Sequence, residues 1–92
     1  MIVEVYSVYD KVAEEFGPLF EAVNEKVAIR SYLHLLKGTS YPGDFELKKL
    51  GGFDKKKGIL GGLSKGPKDI PVQLSQEYPV FGNDPGMYDK EV

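Results

Sequence analysis

The segment that decides the fold reads YPGDFELKKLGGFDKKKGIL and occupies residues 41–60. Its Pro42-Gly43 pair indicates a turn, and the alternation of apolar and polar residues over 45–50 is typical of a β-strand. Gly51-Gly52 is expected to weaken or bulge that strand, and residues 54–58 form a lysine-rich turn before the chain returns. The segment therefore predicts a basic β-hairpin.

A helix is predicted over residues 25–37, ahead of the hairpin. Asn24 is a favourable N-cap, Glu25 suits the positive end of the helix dipole, and Gly38 lies where a C′ residue belongs. More than half of the helix circumference is apolar, with residues recurring at three- and four-residue spacing. The helix should pack on a sheet on one side, and its remaining apolar surface favours a second subunit.

Two strands are predicted before the helix. Residues 2–9 are rich in β-branched and aromatic side chains on both faces, which is typical of a central strand. Residues 11–16 form one helical turn or a loop, and residues 19–23 form a short strand after Gly17-Pro18. The expected fold class is α+β, a small ββαββ domain with one helix packed on an antiparallel sheet.

The predicted domain covers residues 1–63, and residues 64–92 form a Pro-rich extended arm. Prolines at 67, 71, 79 and 85 exclude a regular helix there. The arm has two apolar anchors, Val72 with Leu74 and Tyr78 with Val80-Phe81. It either lies against a neighbouring subunit or a sheet edge, or folds back on its own subunit, or stays disordered. Since a body of roughly 60 residues is marginally stable alone, a homo-oligomer is expected.

Composition excludes several classes of protein. The 92 residues are 41% hydrophobic and 28% charged, with no cysteine. No apolar run of about 18 residues could span a bilayer, and the first residues do not resemble a signal peptide. Disulfides and thiolate metal sites are excluded, which fits a reducing cytoplasm.

Charge is distributed unevenly along the chain, although the net charge is only −2. Residues 1–30 hold six acids and three bases (−3), residues 37–68 hold three acids and eight lysines (+5), and residues 69–92 hold five acids and one lysine (−4). A basic centre in an acidic chain indicates a local surface for a polyanion rather than a protein that coats nucleic acid indiscriminately.

No catalytic, cofactor or metal site is predicted. His34 is the single histidine, and no second histidine or cysteine could complete a metal site with it. Residues 58–66 are glycine-rich but lack the Gly-Lys-Ser/Thr order of a phosphate-binding loop. The sequence therefore predicts a binding protein and not an enzyme.

The candidate site is a nucleic-acid surface on the hairpin. Lysines on a hairpin can neutralise phosphates and aromatic rings can stack on unpaired bases, so the combination favours single-stranded DNA bound without sequence specificity. The predicted residues are Lys48, Lys49, Lys55, Lys56, Lys57, Tyr41 and Phe53, with Arg30 and Lys37 extending the groove. The alternative interpretation is a sheet edge that its lysines protect from aggregation, with Phe45 and Phe53 buried in the core.

Several ordered segments resemble a known phage family. These are YSVYD at 6–10, FGP at 16–18, Asn24 with VAIR at 27–30, YPGDFEL at 41–47, and LGGFD at 50–54 with Gly58. Over about residues 3–60 the chain resembles the small non-structural protein of gokushovirus-type microviruses, which are single-stranded DNA phages.

The resemblance implies a protein that acts in the cytoplasm of the infected bacterium, outside the capsid, and binds DNA during genome replication or packaging. It implies no catalytic residues. Two alternatives remain open: an adaptor that binds the phage replication initiator or a host replication factor, and an assembly or scaffold-like oligomer.

Overall fold

One helix packs on one antiparallel sheet in the computed structural model, which describes residues 1–72. The elements are β1 (Ile2–Asp10), β2 (Glu15–Phe16), β3 (Phe20–Ala22), α1 (Glu25–Leu36), a 3-10 turn (Pro42–Asp44), β4 (Phe45–Asp54), β5 (Ile59–Gly62) and β6 (Lys68–Ile70). The predicted α+β class is confirmed. The ββαββ order is present, and the two short strands β2 and β6 add to it.

β1 and β4 form the centre of the sheet. They pair antiparallel from Ile2 opposite Asp54 to Asp10 opposite Phe45. Both β2 and β3 pair with the outer side of β1, β2 at its last two residues and β3 over Glu4 to Tyr6. On the outer side of β4, β5 pairs with the last four residues and β6 with Leu47 to Lys49. The predicted central position of the first strand is confirmed.

A β-bulge lies where the diglycine begins. Val5 is opposite Gly51, but Tyr6 is opposite Lys49, so Leu50 has no partner on β1. An unpaired residue bends the strand and increases its twist. The predicted irregularity is therefore present as a bulge, and β4 continues through both glycines to Asp54 instead of ending at Leu50.

Gly51 allows a close approach between β4 and β5. A Cβ atom at this position would collide with the carbonyl oxygen of Gly61 and lie 2.9 Å from the Cα of Gly62. The colliding atoms belong to the backbone, so no side-chain rotation could relieve them. Glycine is required at residue 51 because the neighbouring strand occupies the space of a side chain.

The core lies between α1 and the sheet. The helix contributes Ala28, Tyr32 and Leu36, which recur at four-residue spacing and are all buried. They pack with a set from four strands, namely Tyr6, Ala22, Leu47 and Ile70. Burial of these side chains is the main stabilising term of the fold.

The first part of the predicted arm belongs to this sheet. Ile70 is 4% exposed, and β6 pairs with β4 from Leu47 opposite Ile70 to Lys49 opposite Lys68. Val72 packs against the core cluster, as expected for the first anchor. The other predicted anchor residues, Leu74, Tyr78 and Val80-Phe81, lie outside the described residues.

The second face of β1 is also buried near its start. Val3, Val5 and Ser7 are 3%, 6% and 0% exposed, so the prediction of burial on both faces holds for the middle of the strand. Ile2 is 71% exposed, contrary to that prediction, because it lies at the end of the strand. The Ser7 hydroxyl donates a hydrogen bond to the Gly17 carbonyl oxygen at 2.9 Å, which satisfies a buried polar group.

Residues 11–16, predicted as one helical turn or a loop, form a turn followed by the short strand β2. A turn over 11–14 leads into β2, whose Phe16 is opposite Tyr9. Asp10 Oδ1 accepts hydrogen bonds from the backbone N–H groups of Val12 and Ala13, both at 3.0 Å, which fixes the turn.

Among the described residues, no helix is long and apolar enough to cross a membrane.

Gly51→Ala should destabilise the protein strongly, by about 2 kcal/mol or more, because the added methyl group overlaps backbone that cannot move alone. Gly61→Ala is the matched control, since a Cβ there meets nothing within 4 Å. Its free energy of unfolding should change by less than about 0.5 kcal/mol. Urea unfolding followed by circular dichroism measures both, and equal losses would contradict the steric explanation.

Asn24→Ala should lower the free energy of unfolding by about 1 kcal/mol, because the side-chain oxygen of Asn24 accepts the Val27 N–H at 3.0 Å. Asn24→Asp keeps an acceptor at the helix start and should retain most of the stability. The same urea experiment compares them; an alanine variant as stable as the aspartate variant would show that the cap contributes nothing.

Candidate nucleic-acid interface

Lys48 and Lys49 lie on opposite faces of the sheet. Lys49 contacts Glu4, which shares the helix-side face of the sheet with Tyr6, whereas the Lys48 ammonium lies 5.7 Å from the centre of the Tyr9 ring. Successive side chains of a strand alternate between faces, so this outcome follows from β4 being regular at this point. The structure therefore does not bring the two lysines into the single groove that the sequence suggested.

Lys48 is neutralised by two carboxylates. Its Nζ atom lies 3.3 Å from Glu46 on the same strand and also forms a hydrogen-bonded ion pair with Asp69 on β6. The side chain of Lys48 is only 18% exposed. The hydrogen bond that Lys48 donates to Asp69, reinforced by Glu46, raises the pKa of Lys48 above its ordinary value. This ammonium is a structural link between β4 and β6.

Lys49 takes part in a small polar network. Its Nζ atom lies 3.2 Å from Glu4 Oε2, and Glu4 also accepts a hydrogen bond from the buried Tyr6. The Tyr6 hydroxyl, followed by the charges of Lys49 and Lys68, lowers the pKa of Glu4 although partial burial opposes the shift. Burial and the bond to Glu4 raise the pKa of Tyr6.

The β4–β5 turn has a fixed backbone. Asp54 Oδ1 accepts the N–H groups of Lys56 and Lys57 at 3.0 and 3.1 Å, and the Gly58 N–H bonds to the Asp54 carbonyl at 2.7 Å. Gly58 has φ +71°, a conformation that favours glycine. Lys55 bends back to Glu21 on β3 at 3.1 Å, with both side chains about half exposed.

Four exposed lysines within residues 1–72 form no ion pair and lie in the β4–β5 turn, between β5 and β6, and at the start of β6. They are Lys56, Lys57, Lys65 and Lys68, which we call the lysine edge. Sequence analysis missed Lys65 and Lys68 because their position depends on the return of β6 to β4. The only sequence signal for them was their place in the basic segment 37–68.

The predicted aromatic residues do not border the turn. Tyr41 is 69% exposed but precedes β4 at the end opposite the turn. Phe53 is partly buried and pairs with Val3 on one side and Leu60 on the other. Beside the lysine edge, the exposed apolar side chains are instead Ile59 and Leu60 of β5.

The predicted helix cations lie on α1 and at its end, away from the lysine edge. Arg30 is exposed beside an apolar groove that also contains His34, and Lys37 is the C-cap residue of α1.

Within the described part of the chain, no group of three or more histidine, cysteine, aspartate or glutamate residues could hold a metal ion.

Glu4→Gln should weaken the dependence of stability on pH. A carboxylate whose folded-state pKa is lowered stabilises the protein above its unfolded value, and that contribution is lost as the pH falls below 4.5 through the folded-state pKa. The difference in urea midpoint between about pH 7 and about pH 3 should therefore be smaller in the variant than in the parent. Glu15→Gln, at an exposed residue of β2, is the control and should leave that difference unchanged.

Comparison with known proteins identifies a phage family. A family model described as "Phage ORF5 protein" matches residues 3–75, which is 73 of the 92 residues and includes the helix and all six strands except the first residue of β1. No curated protein and no solved structure matches the chain. The expectation of a phage protein is confirmed, while the matching description does not specify a group of phages. The chain belongs to the phage ORF5 protein family.

Proposed function

We propose that the protein binds single-stranded DNA without sequence specificity through the lysine edge. The observation that supports this proposal is the set of four exposed lysines that form no ion pair with a carboxylate of the described chain. Of these, Lys68 acts on Glu4 through its charge, so Lys56, Lys57 and Lys65 are the most available to a phosphate. Ammonium groups on a sheet edge can each neutralise a phosphate and release its counterion, which drives association at low salt.

Lys48, Lys49 and Lys55 have a smaller part in this proposal than the sequence suggested. Each already has a carboxylate within 4 Å, so a phosphate would have to displace that partner. Binding through the remaining lysines should therefore be weak and strongly salt-dependent. Such an interface suits a protein that must release DNA again.

The preference for a single strand rests on the apolar part of the same edge. Ile59 and Leu60 are 61% and 60% exposed and follow the turn lysines directly. Unpaired bases offer apolar faces to such side chains, whereas a duplex hides them in its stack. On a single strand, the lysines of this edge could contact phosphates while Ile59 and Leu60 contact the unpaired bases.

The setting of this activity comes from the phage family and from the resemblance to gokushovirus-type proteins. The family supports a role in phage infection, and the resemblance implies the cytoplasm of the infected bacterium and the replication or packaging of the genome. The proposal assigns no enzymatic activity and needs no cofactor. The expected homo-oligomer stays a prediction, which light scattering of the purified protein would test.

An adaptor role is the second candidate, because an apolar groove lies beside α1. The groove has a volume of about 740 Å³ and is lined by leucine, phenylalanine and valine side chains of the helix and sheet. A replication protein of the phage or its host would be the expected partner. Its binding should respond to salt far less than binding to DNA does.

Titration of labelled single-stranded DNA at 50 and 200 mM salt distinguishes the two roles. Four neutralised phosphates of a single strand give a slope of log K against log[salt] of about −2.8, so affinity should fall about 50-fold between these concentrations. Duplex DNA of the same sequence should bind more weakly at both.

Lys56→Gln/Lys57→Gln should halve that slope to about −1.4, because two of the four contacts are removed. Lys11→Gln/Lys37→Gln makes the same change in charge at exposed residues outside the lysine edge and should keep the parent slope. Equal effects of the two variants would show that net charge, not this edge, governs binding, and no detectable binding at 50 mM salt would reject the DNA role.

A further inference from the structure

An apolar groove runs between the second half of α1 and the chain that enters β3. Val8, Phe20 and Phe45 of the sheet line it together with Leu36 of the helix, and its volume is about 740 Å³. Val8, Phe20 and Phe45 also pack against the core cluster, which includes Leu36. The groove is thus an opening of the core itself towards the surface.

Large aliphatic side chains at this groove remain in contact with solvent. Leu19 and Leu35 both line it, and each is 57% exposed. Single exposed leucines are ordinary on protein surfaces, but two that border one apolar groove form a continuous surface suited to a hydrophobic ligand. An apolar segment of protein would gain the burial that these side chains lack.

The described chain ends beside this groove. Val72, the last described residue, lines a second and smaller depression together with Tyr32 and Phe45. Phe45 also lines the apolar groove, so one side chain separates the two. Tyr78 is six residues beyond Val72, and six residues of extended chain span about 20 Å, which is more than the width of the one side chain between the two depressions. The residues after 72 can therefore reach the groove of their own subunit.

The composition of those residues complements the groove. Residues 74–81 hold four large apolar side chains, Leu74, Tyr78, Val80 and Phe81, and residues 73–92 hold four acids against one lysine, for a net charge of −3. The groove offers Arg30 and His34, while its one acid, Glu21, is already paired with Lys55. The apolar side chains of residues 74–81 match the apolar lining, and the one acid of that segment, Glu77, has the charge opposite to that of Arg30.

We propose that residues 74–81 occupy the apolar groove beside α1 of the same subunit. In this arrangement the apolar side chains of the segment would bury Leu19 and Leu35. The segment completes the hydrophobic core of a body too small to be very stable alone. This inference does not depend on DNA binding at the lysine edge. It assigns the groove to the same chain, so an adaptor partner would have to displace the segment.

The full-length chain contains no tryptophan, so one introduced indole reports its surroundings without interference. Tyr78→Trp and Phe81→Trp each place the reporter in the proposed segment. At least one should show fluorescence emission that is shifted to the blue of a free tryptophan derivative and is poorly quenched by acrylamide. Solvent-like emission from both variants would overturn the proposal.

Leu35→Glu, added to the shifted variant, places a charge in the groove that also repels the acidic segment. It should return the emission to that of solvent-exposed indole. Leu60→Glu is the matched control, since Leu60 on β5 is 60% exposed against 57% for Leu35 and lies outside the groove. It should leave the blue shift unchanged. Circular dichroism checks that both double variants keep the parent fold.

Two results would contradict occupancy by the same subunit. A blue shift that survives Leu35→Glu would place the segment elsewhere on the protein. A blue shift that disappears on dilution of the protein would show that the segment enters a second copy instead. A shift that is independent of protein concentration and removed only by the groove variant establishes the proposal.

Discussion

The antiparallel pairing of β1 with β4 is the constraint on which the rest of the structure depends. Every other strand is attached to the outer side of one of these two, and α1 packs on the face that they form. The bulge at Leu50 increases the local twist, and Gly51 lets β5 approach closely just beyond it. Because this point fixes the position of the β4–β5 hairpin, it also fixes where the turn lysines are displayed.

Ion pairs within the sheet determine which lysines have no carboxylate partner. A strand displays its side chains on alternate faces, and each of Lys48 and Lys49 meets carboxylates on its own face. These exposed or partly exposed pairs contribute modestly to stability, about 0 to 1 kcal/mol each. Their larger consequence is functional, because they remove positive charge from both faces and leave it along the outer edge of β4.

On the helix side of the sheet, part of the apolar surface is left uncovered. A body this small buries a limited share of its surface, and its core opens at an apolar groove between α1 and β3. The lysine edge and the groove are chemically distinct, since the edge offers ammonium groups and the groove offers mainly aliphatic and aromatic surface.

The sequence by itself determined the α+β class, the helix with its Asn24 cap, the strand from residue 45 and the irregularity at the diglycine, because these follow from local periodicity, capping and glycine chemistry. Only the tertiary structure decided which lysines remain unpaired. The partners of Lys48, Lys49 and Lys55 are Asp69, Glu4 and Glu21, which lie 21, 45 and 34 residues away along the chain. Local patterns carry no information about contacts over such separations, since these depend on strand order and register.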